Sequence, residues 1–203
     1  MSSKISCDAH MHTDFSTDCE SSVRSMLNAA VEKGLRTVCI TDHMDLDFPP
    51  QEGEGQAQDA PLFQFDVEEY FRVLTPLKEE YRGRLDVRIG IEIGLQPHLG
   101  AQYKKLLAAY PFDIVIGSIH LVRGLDPYYG KLFEGRPDAD TYREAFEETL
   151  TCIEQNEDFD TLGHLDYVVR YGKRKAEEYS YRAFADEIDA VLKKLISMGK
   201  GLE

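Results

Sequence analysis

Five histidines and one glutamate carry the residue types and spacings in this chain that could do chemistry. Near the amino terminus, Cys7-Asp8-Ala9-His10-Met11-His12 places two imidazoles two residues apart. On an extended backbone, residues i and i+2 share a side, so His10 and His12 can reach one metal ion together. Asp8 lies on that side as well and could orient an imidazole. An ordinary polar loop holding two histidines fits the same letters, so the rest of the chain has to decide. His43, Glu92, His120 and His164 each follow a short apolar run, around Val38-Cys39-Ile40, Ile89-Gly90-Ile91, Ile114-Val115-Ile116 and Thr161-Leu162. Imidazoles with carboxylates and no cysteine suit zinc, iron or manganese and argue against a structural zinc knot. Glu92 could bridge two ions through its two oxygens; the alternative is a strand-end acid paired with an arginine.

The elements that must hold these residues alternate regularly. A strand is expected at Lys4–Cys7, then a polar loop over 13–22 with Asp14, Asp18 and Glu20. A helix over Val23–Lys33 follows, capped by Ser21 or Ser22 and ended by Gly34. Arg36–Thr41 reads as a strand, and residues 44–65 as a long loop. Asp66 with Glu69 resembles a capping box opening a helix to Tyr81 that contains Pro76. Leu85–Ile93 and Asp113–Ser118 read as strands flanking a helix from Pro97 to Ala109. A helix over Thr141–Gln155, a strand over Asp160–Gly163, a basic loop over 170–175 and a helix over Tyr181–Met198 complete the pattern, with a further strand beginning after Gly199. Such alternation predicts βα units around a parallel sheet or barrel, whose functional face lies at the carboxyl ends of the strands. His10, His12, His43, Glu92, His120 and His164 all fall at or just past those ends. His98, at a helix start, reads as a surface residue.

The 203 residues suit one domain, 1–203, with a sizeable core. Net charge is −14, from 37 acidic and 23 basic residues, a field that repels a nucleic-acid backbone. It does not forbid a small anionic substrate, because bound metals dominate the local charge. No apolar run approaches the roughly 20 residues needed to span a bilayer. The first twenty residues lack a basic start and a long apolar segment, so a cytoplasmic location is expected. Cysteines 7, 19, 39 and 152 show no paired spacing and are expected to be reduced thiols without a role.

Taken together, Asp8-x-His10-x-His12, Thr41-Asp42-His43, Gly90-Ile91-Glu92, Gly117-Ser118-Ile119-His120 and Gly163-His164-x-Asp166 resemble the successive motifs of the polymerase-and-histidinol-phosphatase superfamily. The Ser-Ile-His and Gly-His-x-Asp phrases look most like its histidinol-phosphate phosphatase branch. The resemblance implies an α/β fold, a distorted (β/α)7 TIM-like barrel, with up to three divalent metals. By position, His10, His12 and Glu92 would hold one ion, Glu92, His120 and His164 a second, and Asp18 and His43 contribute to a third. Asp18 stands where relatives carry histidine. Relatives also carry two more strands, the last ending in Asp-x-His. The chain is therefore expected to be truncated after the fifth to sixth βα unit, with open edges that a second copy could cover and with weak turnover.

Two ions sharing a water lower its pKa from 15.7 to about 7, and the hydroxide attacks phosphorus in line. Glu92, His120 and His164 are accordingly the expected catalytic residues. Arg170, Lys173 and Arg174 after His164, with Arg123 after His120, are the candidate phosphate clamp, unless they are solvated surface charge. The implied activity is hydrolysis of a small phosphorylated substrate, L-histidinol phosphate, with neither nucleic acid nor membrane as partner. The alternatives are a related phosphoesterase on another small phosphate or nucleotide end, and a non-catalytic metal-binding member.

Overall fold

The computed structural model describes residues 5–50 and 63–203. Most of the expected long loop, residues 51–62, and Lys4 of the first expected strand lie outside them. The fold is of the α/β class. Its contacts divide it into two compact units, one built from residues up to Ile93 with Tyr110–Ile116, the other from Gly94–Ala109 with Gly117–Glu203.

The first unit contains β1 (Cys7–Met11), α1 (Val23–Lys33), β2 (Thr37–Ile40), β3 (His43–Met44), α2 (Val67–Tyr81) and β4, which runs over Asp86–Gly94. The first strand thus starts at Cys7, three residues later than expected, and includes His10. β1 pairs with β2, β2 with β4 and β3 with β4, all in parallel. The bounds of α1 follow from its caps. The Ser22 side chain accepts the Ser25 N–H, and Gly34, at φ 75°, donates to the carbonyls of Ala30 and Val31 in a left-handed conformation that glycine adopts without strain. At the start of α2, Asp66 accepts the Glu69 N–H, but the Glu69 carboxylate turns to Arg72, so the expected capping box is only half made. Val23, Leu27 and Ala30 of α1 and Tyr70, Leu74 and Leu77 of α2 are buried against Val38, Ile40, Val87 and Ile89 of the strands. The Tyr70 hydroxyl lies 3.0 Å from the Ile40 carbonyl and 3.1 Å from that of Gly90.

In the second unit are α3 (Gly100–Ala109), the end of β5 (Ile114–Ser118), α4 (Asp138–Gln155), β6 (Thr161–Leu162), α5 (Lys175–Glu178), α6 (Ala185–Met198) and β7 (Gly201–Leu202). Leu95 donates to the Ser118 carbonyl and Gly163 to that of Gly117, and β6 pairs with β7 in parallel, so the expected strand after Gly199 is present. α4 and α6 enclose a core with Phe133, Tyr142, Phe146, Val168, Phe184 and Ile188. Three helix starts differ from expectation. α3 begins at Gly100 because Pro97 and His98 form a turn. α4 begins three residues before Thr141, with Pro137 as its N-cap, and the Thr141 hydroxyl donates to the Leu132 carbonyl instead of capping. The last helix likewise starts at Ala185, after a 3-10 turn over Tyr181–Ala183.

Candidate metal centre

In the first unit, strand pairing gathers the ligand-type side chains. His43 stands opposite Glu92 in the β3–β4 register. The β1–β2 pairing is irregular between Asp8 and Met11, a bulge of the kind that re-aims side chains. Past it, Thr41 ties down the end of β1: its N–H donates to the Met11 carbonyl at 2.7 Å, and its Oγ1 accepts the Met11 N–H at 3.1 Å. The consequence is convergence on one atom. His10 Nε2 and His12 Nε2 each lie 3.1 Å from Glu92 Oε2, and His43 Nδ1 lies 3.0 Å from it. His10 Nε2 and His12 Nε2 are 3.1 Å apart. The Glu92 side chain is wholly buried. A second set adjoins the first, with Asp18 3.5 Å from both His12 Nδ1 and His43 Nε2. Asp8, by contrast, accepts the backbone N–H of His10.

These separations fit a metal. Ligand atoms about 2.0–2.2 Å from an ion stand roughly 3.0–3.5 Å from one another in tetrahedral or octahedral geometry. His10, His12 and Glu92 form one such set, and His12, Asp18 and His43 another. The electrostatics agree. Burial acts to lower the His12 pKa, but hydrogen bonds to Asp18 and Glu92 overcome it and hold the imidazole up at about 10. Hydrogen bonds from His12 and His43 hold Asp18 well below the usual carboxylate range. The pocket therefore favours positive charge, which a divalent cation supplies in place of protons.

The second unit brings together His120 and His164, their ring centroids 5.4 Å apart. Tyr167 packs against both, at 5.6 and 5.1 Å, and Arg170 lies over the Tyr167 ring at 5.4 Å. His164 follows β6, and Arg170 lies exposed on the 3-10 turn Tyr167–Tyr171. The other expected cations are placed differently. Arg123 faces Glu144 at 3.6 Å, Arg174 pairs with Glu177 and Glu178, and Lys173 is exposed. His98 is exposed in the turn before α3.

The sequence reading missed two acids. Asp45 lies 3.4 Å from His43 Nδ1 and is almost fully buried. The signal was available, since residue 45 is two from His43 and shares its side of an extended segment. Asp42, within the Thr41-Asp42-His43 phrase, is completely buried. None of the four cysteines joins the two metal sets, although the Cys19 thiol donates to the His12 carbonyl.

The class these features define is matched by comparison: residues 8–203 match the PHP domain, and the chain belongs to that family. It is 35% identical over 189 residues to a protein of Clostridium acetobutylicum described as a probable histidinol-phosphatase, covering 93% of this chain and 68% of that one. Against the histidinol-phosphatase of Lactococcus lactis it is 28% identical, covering 97% of this chain and 70% of the relative. A crystal structure of the Lactococcus lactis histidinol phosphate phosphatase, in complex with zinc, L-histidinol and phosphate, matches with a TM-score of 0.87 at 27% identity, over 97% of this chain and 72% of that one. The fold class expected from the sequence is thus the one found.

Proposed function

We propose that this chain is a metal-dependent phosphomonoesterase that hydrolyses L-histidinol phosphate to L-histidinol and phosphate. The observation that carries the reading is the approach of three imidazole nitrogens, from His10, His12 and His43, to within 3.0–3.1 Å of one buried carboxylate oxygen of Glu92. The relatives support the substrate: one is a histidinol phosphate phosphatase whose crystal structure holds zinc, L-histidinol and phosphate.

His10, His12 and Glu92 would hold one divalent ion, and Asp18 with His12 and His43 another. By the family motifs, His120 and His164 would serve as further metal ligands. Zinc, iron and manganese all suit this mixture of imidazole and carboxylate. When bound, such ions supply a water that ionises near neutral pH and positive charge for the phosphoryl oxygens. The chain's own residues do the rest. Glu92 gathers the imidazoles of His10, His12 and His43 around one buried oxygen. Arg170, over the Tyr167 ring that packs against His120 and His164, makes a charge-assisted contact to the phosphate. Histidine biosynthesis in the cytoplasm is the setting this reading implies.

A panel of phosphomonoesters with L-histidinol phosphate among them, assayed with added zinc, manganese or iron, tests the assignment. The expected outcome is a kcat/KM highest for L-histidinol phosphate. Preference for another small phosphate or a nucleotide end would move the chain to a different branch of the family, and no turnover of any ester would leave it a metal-binding member.

A further inference from the structure

We propose that Asp42 is a positioning residue of the metal centre: its carboxylate fixes the loop after β1 so that His12 and Asp18 face His43. The inference rests on the metal-centre reading given above. Asp18 poses the problem, because it sits in a loop with its side chain 47% exposed, yet lies 3.5 Å from nitrogens of both His12 and His43. An acid so exposed holds one position only if its loop is held.

Asp42 is what holds it. Its Oδ1 accepts the Thr13 N–H at 2.6 Å and the Ser16 hydroxyl at 2.7 Å, and its Oδ2 accepts the Thr13 hydroxyl at 2.8 Å. Ser16 Oγ in turn accepts the His43 N–H at 3.0 Å. Thr13, Ser16 and Asp42 are all buried. The Asp42 carbonyl accepts the Glu92 N–H at 3.0 Å. One residue thus touches the segments carrying His12, Asp18, His43 and Glu92: it is bonded to His43, its side chain is on the loop between His12 and Asp18, and its backbone is on Glu92. A carboxylate is acceptor-only and takes three donors without presenting one of its own. Removed from water, it is tolerated because those donors satisfy it. Partners of this kind, which orient metal ligands without touching the ion, set metal affinity.

The test uses cobalt(II) as the probe, bound to the full chain stripped of metal. Visible absorption reports the coordination geometry, competition with a chelator gives affinity, and thermal melting of the metal-free proteins reports folding. Asp42→Ala is expected to weaken cobalt binding about 10- to 100-fold and to alter the spectrum. Asp42→Asn, whose amide oxygen still accepts from Thr13 and Ser16, is expected to recover the wild-type spectrum with intermediate affinity. Wild-type affinity and spectrum in Asp42→Ala, whatever its melting temperature, would overturn the proposal and leave Asp42 a brace of the fold. Should Asp42→Ala not fold, Thr13→Val and Ser16→Ala each remove one of its bonds. Weaker cobalt binding in either then supports the proposal, and wild-type binding in both overturns it. Failure of the wild-type chain itself to bind cobalt is a distinguishable result, and it removes the metal-centre reading.

Discussion

His43 and Glu92 stand opposite one another in the parallel pairing of β3 with β4, and Nδ1 of the first lies 3.0 Å from Oε2 of the second. The register of the two-residue β3 against β4 therefore sets the distance between two of the proposed ligands. The same oxygen faces His10 and His12, which makes Glu92 the residue whose charge the centre shares.

Replacing Glu92 by glutamine keeps its volume and removes that charge. Bound metal should fall, and kcat/KM should drop by roughly 10²- to 10³-fold, since a metal contributes several kcal/mol of transition-state charge stabilisation and about 1.4 kcal/mol is tenfold. Elemental analysis alongside phosphate release checks both. Full metal content with full activity would remove Glu92 from the centre.

Metal binding should be linked to pH through His12. Its pKa in the metal-free fold is raised to about 10, so its contribution to stability is fully present below the unfolded value near 6.5 and is lost as pH rises through the folded value. Asp18 is lowered, and its contribution is present above the unfolded value near 3.9 and lost as pH falls below it. An ion binding His12 must displace its proton. Affinity should therefore rise between pH 6 and pH 8, with proton release measurable by calorimetry in buffers of different ionisation enthalpy. Binding without proton release would mean that His12 is not a ligand.

Gly90 tests the packing beneath the site. A Cβ there would lie 2.5 Å from Ile114 Cγ2, 2.8 Å from the Ile114 carbonyl oxygen and 2.8 Å from Thr41 Cγ2. Gly90→Ala should cost about 1–3 kcal/mol, as overpacking does. Because Thr41 ties down β1, metal affinity should fall as well. Chemical denaturation and metal titration read the two effects, and an unchanged midpoint would show that β4 and its neighbours have room to move.

Much of this was legible in the sequence because parallel strands bring their carboxyl ends to one face. An apolar run followed by a ligand residue is visible without knowing which strands pair. His10, His12, His43, Glu92, His120 and His164 all carry that pattern. What escaped depended on local competition. β3 is two residues long at the start of what reads as a loop, so the sequence offers no strand on which to count Asp45. α4 starts at Asp138 because the Pro137 backbone opens the helix, and Thr141, the apparent cap, turns to the Leu132 carbonyl. The brace around Asp42 joins residues 26 to 29 apart, which no local pattern reveals.

Arg170→Ala should lower kcat/KM by roughly 10- to 100-fold while leaving metal content intact, because it removes one charge-assisted contact worth about 1.5–3 kcal/mol and no ligand. Arg170 lies over the Tyr167 ring, which packs against both His120 and His164. Unchanged kinetics would return it to surface charge.

The central claim is that catalysis depends on ions held by the histidines and carboxylates, and reconstitution tests it most directly. The chain is stripped of metal, reloaded with zinc, manganese or iron separately, and assayed for phosphate release from L-histidinol phosphate, with His12→Ala carried in parallel. The account predicts no release from the stripped chain, recovery with at least one of these metals, and little or no recovery in His12→Ala. Equal rates from stripped and reloaded chain, or full recovery in His12→Ala, would contradict it.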